Sequence, residues 1–436
     1  MNAVRIGLLG LGTVGGGTLE LLTRNADEIA RRAGRPLRVT HASVRNPERA
    51  QDLPADIALH TDPFAVVRQP DVDIVAELIG GIEPARELIL AAIGAGKHVV
   101  TANKALIAHH GNEIFEAARQ AGVAVGFEAA VAGGIPVIKT LREGLAGNRI
   151  DGIAGIINGT SNYILTQMRD AGLDFATALA DAQRLGYAEA DPSFDIDGVD
   201  AAHKLSILAA IAFGMPLCFD QVHIEGIRDL SAVDVDYAGQ LGYRLKLLGI
   251  ARRGADGVQL RVHPTLLPQR HLLAQVDGVI NAVLVDSDAL GQSLYYGAGA
   301  GAGPTASAVV ADLVDIARAL TIDAEHRVPY LAFHHDHLQA LPVQPIDAVE
   351  TAFYLRLTAL DRPGVLADVT RILADQQISI EAILQKEPAP GASHVAVILL
   401  THRVLERALR DAITRIEALP SIDGRVVSLR LDHLEH

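Results

Sequence analysis

Five carboxylates, Glu189, Asp191, Asp195, Asp197 and Asp200, crowd into the segment Leu185 to Lys204, immediately before an apolar run. Asp200 and Lys204 are four residues apart, so they share one face of a helix. Ile207, Leu208 and Ile211 continue that face, which predicts that it is buried. A charge pair on a buried stripe is costly and needs a reason. A carboxylate there can bind a substrate ammonium. A lysine there can give a proton to a developing alkoxide, a transfer typically worth about 10²- to 10⁴-fold in rate. The alternative is a solvated acidic loop with one surface ion pair.

Three other places could carry chemistry. Gly10-Leu11-Gly12-Thr13-Val14-Gly15 fits G-x-G-x-x-G, follows a strand-like run and opens a helical one, the context a dinucleotide requires. Gly10 permits the turn, Gly12 admits a pyrophosphate, Gly15 lets the helix close, and the helix N-terminus holds the anion. The other reading is an ordinary glycine turn. The next strand ends Val44-Arg45-Asn46, with Arg49 nearby, where a site strict for NAD has an acid. A guanidinium there suits the 2′-phosphate of NADP, with NAD also open; otherwise Arg45 is a solvated arginine. Thr101-Ala102-Asn103-Lys104 ends a later strand, where Lys104 either reaches nicotinamide or substrate or lies on the surface.

Other candidates are weaker. The small residues from Glu128 to Ile135 surround one carboxylate and could turn backbone carbonyls towards a hard cation, or simply cross between domains. His109-His110 and His334-His335 read as exposed histidines rather than metal ligands. Cys218, the single cysteine, has no basic neighbour in sequence to activate it and reads as a core residue.

The elements that must hold these groups follow from periodicity. Strands are expected at Val4 to Leu9, Leu37 to Val44, Ile74 to Leu78, His98 to Thr101 and Val123 to Phe127. Helices are expected at Thr18 to Ala30, Arg86 to Ala95 and Gly111 to Ala121. Such alternation means α/β, a parallel sheet with helices on both faces. We place a Rossmann-type dinucleotide-binding domain at 1–134, completed by an apolar helix at 304–321. An α+β catalytic and dimerisation domain follows at 135–303. A linker at 322–349 leads to a β-α-β-β-α-β, ferredoxin-like unit at 350–432. The terminal Leu-Glu-His reads as an appended tag linker. At roughly 150 residues per domain, 436 residues accommodate about three domains.

Composition narrows the partners. A net charge of -14 disfavours nucleic acid and anionic membranes. The longest uncharged apolar run, Leu205 to Phe219, falls short of the roughly 20 residues a spanning helix needs. One cysteine and no visible secretory signal point to the cytoplasm.

Taken together, these motifs resemble the homoserine dehydrogenases over nearly the whole chain. The matching pieces are the glycine turn, Thr101 to Lys104, Asn158-Gly159-Thr160-Ser161-Asn162-Tyr163, Gly186 to Lys204, and Gly301-Ala302-Gly303-Pro304-Thr305. The resemblance implies an NAD(P)-dependent oxidoreductase that interconverts L-aspartate 4-semialdehyde and L-homoserine on the route to threonine, methionine and isoleucine. It implies Lys204 as proton donor and Lys104 as a second lysine between cofactor and substrate. It implies that Glu189 and Asp200 hold the amino acid and that Thr160, Tyr187 and Asp195 line the pocket. Thr13, Val14, Arg45 and Gly303 would touch the cofactor. A sodium ion would sit at the loop of Glu128, Val131, Gly133 and Ile135. The chain would be a homodimer or homotetramer. Asp361-Arg362-Pro363-Gly364-Val365-Leu366-Ala367 resembles the signature turn of an ACT domain, which implies regulation by an amino acid, threonine first. Two competing readings remain. An acylating semialdehyde dehydrogenase would need a thiolate. A non-catalytic amino-acid sensor would not need Glu189, Asp200 and Lys204 together.

Overall fold

The structure, a computed structural model, describes residues 2–46, 53–386 and 393–434. Its first sheet is parallel: β1 (Val4–Leu9), β2 (Leu37–Ser43), β3 (Ala58–His60), β4 (Ile74–Glu77), β5 (His98–Thr101) and β6 (Val125–Gly126), in the order β3-β2-β1-β4-β5-β6. The strands read as apolar runs because helices cover both faces. β1 buries all but one of its residues, and β4 buries all four. The short β3 is an addition to the five strands expected.

The glycine turn behaves as its spacing requires. Gly10 has φ +90°, and a Cβ on Gly15 would lie 2.0 Å from the Gly10 carbonyl. The helix therefore starts at Thr13 rather than Thr18 and runs to Arg24; a second helix, Ala26–Ala33, follows. The late helix Ala302–Ala319 returns to this domain, so close that a Cβ on Gly17 would lie 2.7 Å from the Ala302 carbonyl. Val309, Leu313 and Ala317 of that helix join Ile6, Leu8 and Val39 in one core.

The second sheet is continuous through the rest of the chain. It contains β7 (Ile150–Ile156), β8 (His223–Ile224), β9 (Tyr243–Gly254), β10 (Gly257–Pro268), β11 (Ile280–Ser287) and β12 (Gly291–Ala298). The C-terminal unit adds β13 (Glu350–Leu360), β14 (Ile380–Gln385), β15 (His394–Thr401), β16 (Val404–Leu405) and β17 (Val427–Leu431). The order β17-β13-β15-β14, with helices Val365–Asp375 and Glu406–Glu417, is ferredoxin-like. Its last strand pairs parallel with β10, Thr265 opposite Arg430 and Leu266 opposite Leu431.

Residues 322–349 are tied down at both ends. The Tyr330 hydroxyl donates to the Val123 carbonyl, and Val258 N donates to the Pro342 carbonyl at 2.9 Å. Leu434, read in sequence as part of a tag, is 3 % exposed and packs with Leu248 and Leu267. Among the described residues, no helix is long and apolar enough to cross a membrane.

Candidate active site

The helix Val199–Phe213 carries Asp200 and Lys204. It opens at Gly198, a left-handed residue with φ +85°, and nearly every residue along it is buried. Lys204 Nζ donates to Asp200 Oδ2 at 2.6 Å and to the Ile157 carbonyl, just past β7, at 2.7 Å. Lys104 Nζ, on the other domain, lies 3.0 Å from Asp200 Oδ1. The solvated-loop alternative for Asp200 and Lys204 is thereby excluded: both are buried.

Their protonation follows from burial and from each other. Burial alone would raise the Asp200 carboxyl, but Lys204 and Lys104 together hold it below the usual carboxylate range. Burial lowers the Lys204 ammonium, with Asp200 working against it. Burial raises Asp195, and the Asp200 charge adds to the rise. Adjacent groups pushed in different directions are a recurrent mark of a catalytic site.

Two asparagines that sequence reasoning did not single out position these groups. Asn158 caps helix Gly159–Asp170 by accepting from Ser161 N. Its amide donates to Asp195 Oδ1 at 2.7 Å and to Asp200 Oδ2 at 2.8 Å. Asn103 caps helix Lys104–Ala121, accepting from Leu106 N and donating to the Gly81 carbonyl. Behind it, buried Glu77 accepts from Ile79 N, Gly80 N and the Thr101 hydroxyl. The signal available in sequence was an asparagine just before an apolar helical pattern.

The remaining expected residues are less tightly gathered. Thr160 Oγ1 donates to the Tyr187 carbonyl at 2.7 Å, and the Tyr187 ring stacks edge-on with Tyr163. Tyr187 and Glu189 are exposed. Phe194 lies under the Lys104 ammonium, 5.5 Å from ring centroid to Nζ.

On the cofactor side the glycine turn is open. Gly12 caps the first helix with no side chain in the way, and a Cβ there would meet nothing within 4 Å. Gly303 is equally open. A helix N-terminus of this kind is where an anion can be held. Thr13 and Val14 form the first helical residues. Arg45 is exposed just past β2; Arg49 lies outside the described residues.

Several expectations need correction. The Glu128 carboxylate does not face a cation as an open ligand. It accepts from Ile138 N at 2.9 Å and Lys139 N at 2.7 Å, capping the short helix there, and burial raises it to about 7. Its own amide donates to Asp312 Oδ2, a partner sequence did not suggest. His109 is exposed, as expected, but it is not without a partner. Its Nε2 lies 3.1 Å from Nε2 of buried His203, which burial pushes down to about 4. Among the described residues no cluster of three His, Cys, Asp or Glu could hold a metal. Burial pushes the Cys218 thiol up to about 11, against an acylating mechanism.

A Rossmann domain whose Lys104 meets a buried Asp200–Lys204 pair, with a ferredoxin-like module behind it, defines a nicotinamide-dependent dehydrogenase with an ACT domain. Residues 136–314 match the family described as homoserine dehydrogenase, 10–128 its NAD-binding domain, and 353–420 the ACT domain. A homoserine dehydrogenase of Pseudomonas aeruginosa is 58% identical over 434 residues, covering 100% of both chains. The crystal structure of one from Thiobacillus denitrificans has TM-score 0.95 and 62% identity, covering 100% of this chain and 99% of that one. A hyperthermophilic archaeal homoserine dehydrogenase mutant in complex with NADPH has TM-score 0.62 and 28% identity, over 72% of this chain and 97% of that one. The chain belongs to the homoserine dehydrogenase family, oxidoreductases acting on a CH-OH group with NAD(P).

Proposed function

We propose that L-aspartate 4-semialdehyde and L-homoserine are interconverted at the Asp200–Lys204 pair, with Lys204 as the proton donor and acceptor. The observation that carries this is the use of the Lys204 protons. An ammonium has three donors. Asp200 takes one and the Ile157 carbonyl another, which leaves one for a substrate oxygen. When bound, the nicotinamide supplies or accepts the hydride. In reduction Lys204 protonates the oxygen as its charge develops; in oxidation neutral Lys204 takes the hydroxyl proton. Lys104, fixed on Asp200 from the opposite side, spans cofactor and substrate.

Glu189 and Asp200 take the substrate ammonium, and Thr160, Tyr187 and Asp195 wall the pocket. Gly10, Gly12, Thr13, Val14, Gly15, Arg45, Lys104 and Gly303 take the cofactor, with NADP favoured over NAD by Arg45. A sodium ion would rest on the loop from Glu128 to Ile135, held by backbone carbonyls of Val131, Gly133 and Ile135. Ala132 and Gly133 are both left-handed (φ 56° and 53°), and the Ile135 carbonyl already accepts from Val137 N. The carbonyls of Val131 and Gly133 have no main-chain donor among the described residues and suit it best.

The reading keeps the division into 1–134 with 304–321, 135–303, 322–349 and 350–432. It makes the chain a cytoplasmic homodimer or homotetramer, with threonine as ACT effector and neither nucleic acid nor membrane as partner. The test is absorbance of the reduced cofactor on mixing protein with L-homoserine and NADP, then NAD, then threonine. A faster rise with NADP, suppressed by threonine, is expected. A faster rise with NAD overturns the cofactor preference, and indifference to threonine removes it as effector.

A further inference from the structure

The ACT unit is joined to the catalytic sheet by strand pairing and by buried charge. Arg430, on β17, is 6 % exposed and grips two carboxylates. It reaches both oxygens of Glu406, on the ACT helix Glu406–Glu417, at 2.9 and 2.6 Å. It reaches both oxygens of Glu225, in the catalytic domain, at 2.6 and 2.8 Å. Such paired forks fix direction as well as distance.

Glu225 belongs to a segment that touches the base of the catalytic helix. Its own amide donates to the Val262 carbonyl of β10 at 2.8 Å. Two residues on, Ile227 N donates to the Ile196 carbonyl at 2.8 Å. Between them, a Cβ on Gly226 would lie 2.4 Å from that carbonyl and 2.5 Å from Asp197 Cα. A Cβ on Gly198 would lie 3.3 Å from the Glu225 carbonyl. So segment 225–227 is in backbone contact with the left-handed turn from which Val199–Phe213 starts, and Asp200 sits in the first turn of that helix. Close-packed backbone passes on a displacement instead of absorbing it.

We propose that Glu225 is a positioning residue for Asp200 and Lys204, and that Arg430 sets its place, so that a shift of the ACT domain is read at the catalytic carboxylate. This rests on the Asp200–Lys204 reading above. The route needs no effector contact near the active site. It needs only that β17 and the ACT helix move as one body with Arg430, since the ion pair to Glu406 holds them together.

A second ion pair across the same seam provides the control. Asp234, on helix Ala232–Gln240, accepts from Arg356 of β13 at 2.6 and 3.0 Å and from the Tyr354 hydroxyl at 2.9 Å. It joins the ACT domain to a helix that does not carry the catalytic pair.

The test compares Glu225→Gln, Arg430→Lys and Arg356→Lys with the unaltered chain, and with Lys204→Met. The readouts are kcat, KM for homoserine and for cofactor, the midpoint of the kcat–pH profile, and Tm. Expected for E225Q and R430K is a roughly five- to twentyfold loss of kcat, a displaced pH midpoint, and a cofactor KM within about twofold of normal. R356K should lower Tm with kcat unchanged. Wild-type kcat and pH midpoint in E225Q overturn the proposal, as does an equal loss of kcat in R356K. If R430K does not fold, E225Q, an isosteric change, decides alone. Full activity in K204M would instead sink the catalytic reading on which this one stands.

Discussion

Lys104 and Lys204, a hundred residues apart and on different domains, meet opposite oxygens of one carboxylate, Asp200, at 3.0 and 2.6 Å. The carboxylate is therefore the point at which the two domains register against each other. It is also what keeps a buried lysine chargeable, because an unpaired ammonium at that depth would lose its proton.

The first expectation concerns Lys204 itself. Lys204→Met keeps the length of the side chain and removes the proton. Turnover of homoserine should fall by about 10²- to 10⁴-fold, while NADPH binding, measured by fluorescence titration, stays within about threefold of normal because the glycine turn is untouched. Retained turnover would remove Lys204 from the mechanism.

The direction of the Lys204 shift fixes a pH dependence. On the proposed mechanism, oxidation of homoserine needs the neutral amine, and burial lowers its pKa below the ordinary lysine value of 10.5. The oxidation rate should climb with pH to a plateau whose midpoint lies below that value, and reduction should decline over the same interval. Asp200 opposes the shift, so Asp200→Asn should move the midpoint lower still. A midpoint that rises in D200N would mean the titrating group is not Lys204.

The two glycines of the turn should part company. Gly12 faces open space, so Gly12→Ala should leave Tm unchanged and weaken NADP binding at least about tenfold, roughly 1.4 kcal/mol. At Gly15 the added methyl meets the Gly10 carbonyl at 2.0 Å. Gly15→Ala should lower Tm by several degrees before any cofactor is added. Equal Tm values for the two variants would show that the turn relaxes.

What sequence could and could not show follows from the range of each interaction. β1 and β5 were legible because buried parallel strands are apolar runs. Asp200 and Lys204 were legible because four residues make a helical turn. β3 was missed: it is three residues long, and Ala58 and Leu59 are exposed, so it has no pattern. The contacts of Asn158 with Asp195 and Asp200, and of His109 with His203, span 37 to 94 residues and leave no local trace. The pairing of β17 with β10 is likewise invisible, since a strand's own sequence does not name its neighbour. The ACT unit was therefore legible as a module but not as part of the catalytic sheet.

Arg45 tests cofactor choice without disturbing the fold, since it is exposed beyond the end of β2. Arg45→Glu places a carboxylate where it would repel the 2′-phosphate of NADP and accept a hydrogen bond from the ribose 2′-hydroxyl of NAD. The ratio of kcat/KM for NADP to that for NAD should fall at least about tenfold. An unchanged ratio would assign discrimination to another residue.

Acid stability offers a last test, independent of activity. His98 Nδ1 accepts from Ala124 N at 2.8 Å, between β5 and the start of β6. Burial, aided by the Arg327 charge, pushes its pKa down to about 4. Protonating that nitrogen would also destroy the acceptor. As pH falls through 6.5 the unfolded chain takes up this proton and the folded chain does not. Stability is therefore intact above 6.5, declines by about 1.4 kcal/mol per pH unit for this group, and stops declining near 4. His98→Gln keeps an acceptor for Ala124 and does not titrate. The loss of unfolding free energy between pH 7.5 and pH 5, measured in urea, should be smaller in H98Q by about 1–2 kcal/mol. Carboxylates contribute equally to both chains and cancel in the comparison. Identical losses would mean that His98 is protonated in the folded state at pH 5, and hence that the bond to Ala124 N is not what holds β5 against the segment leading into β6.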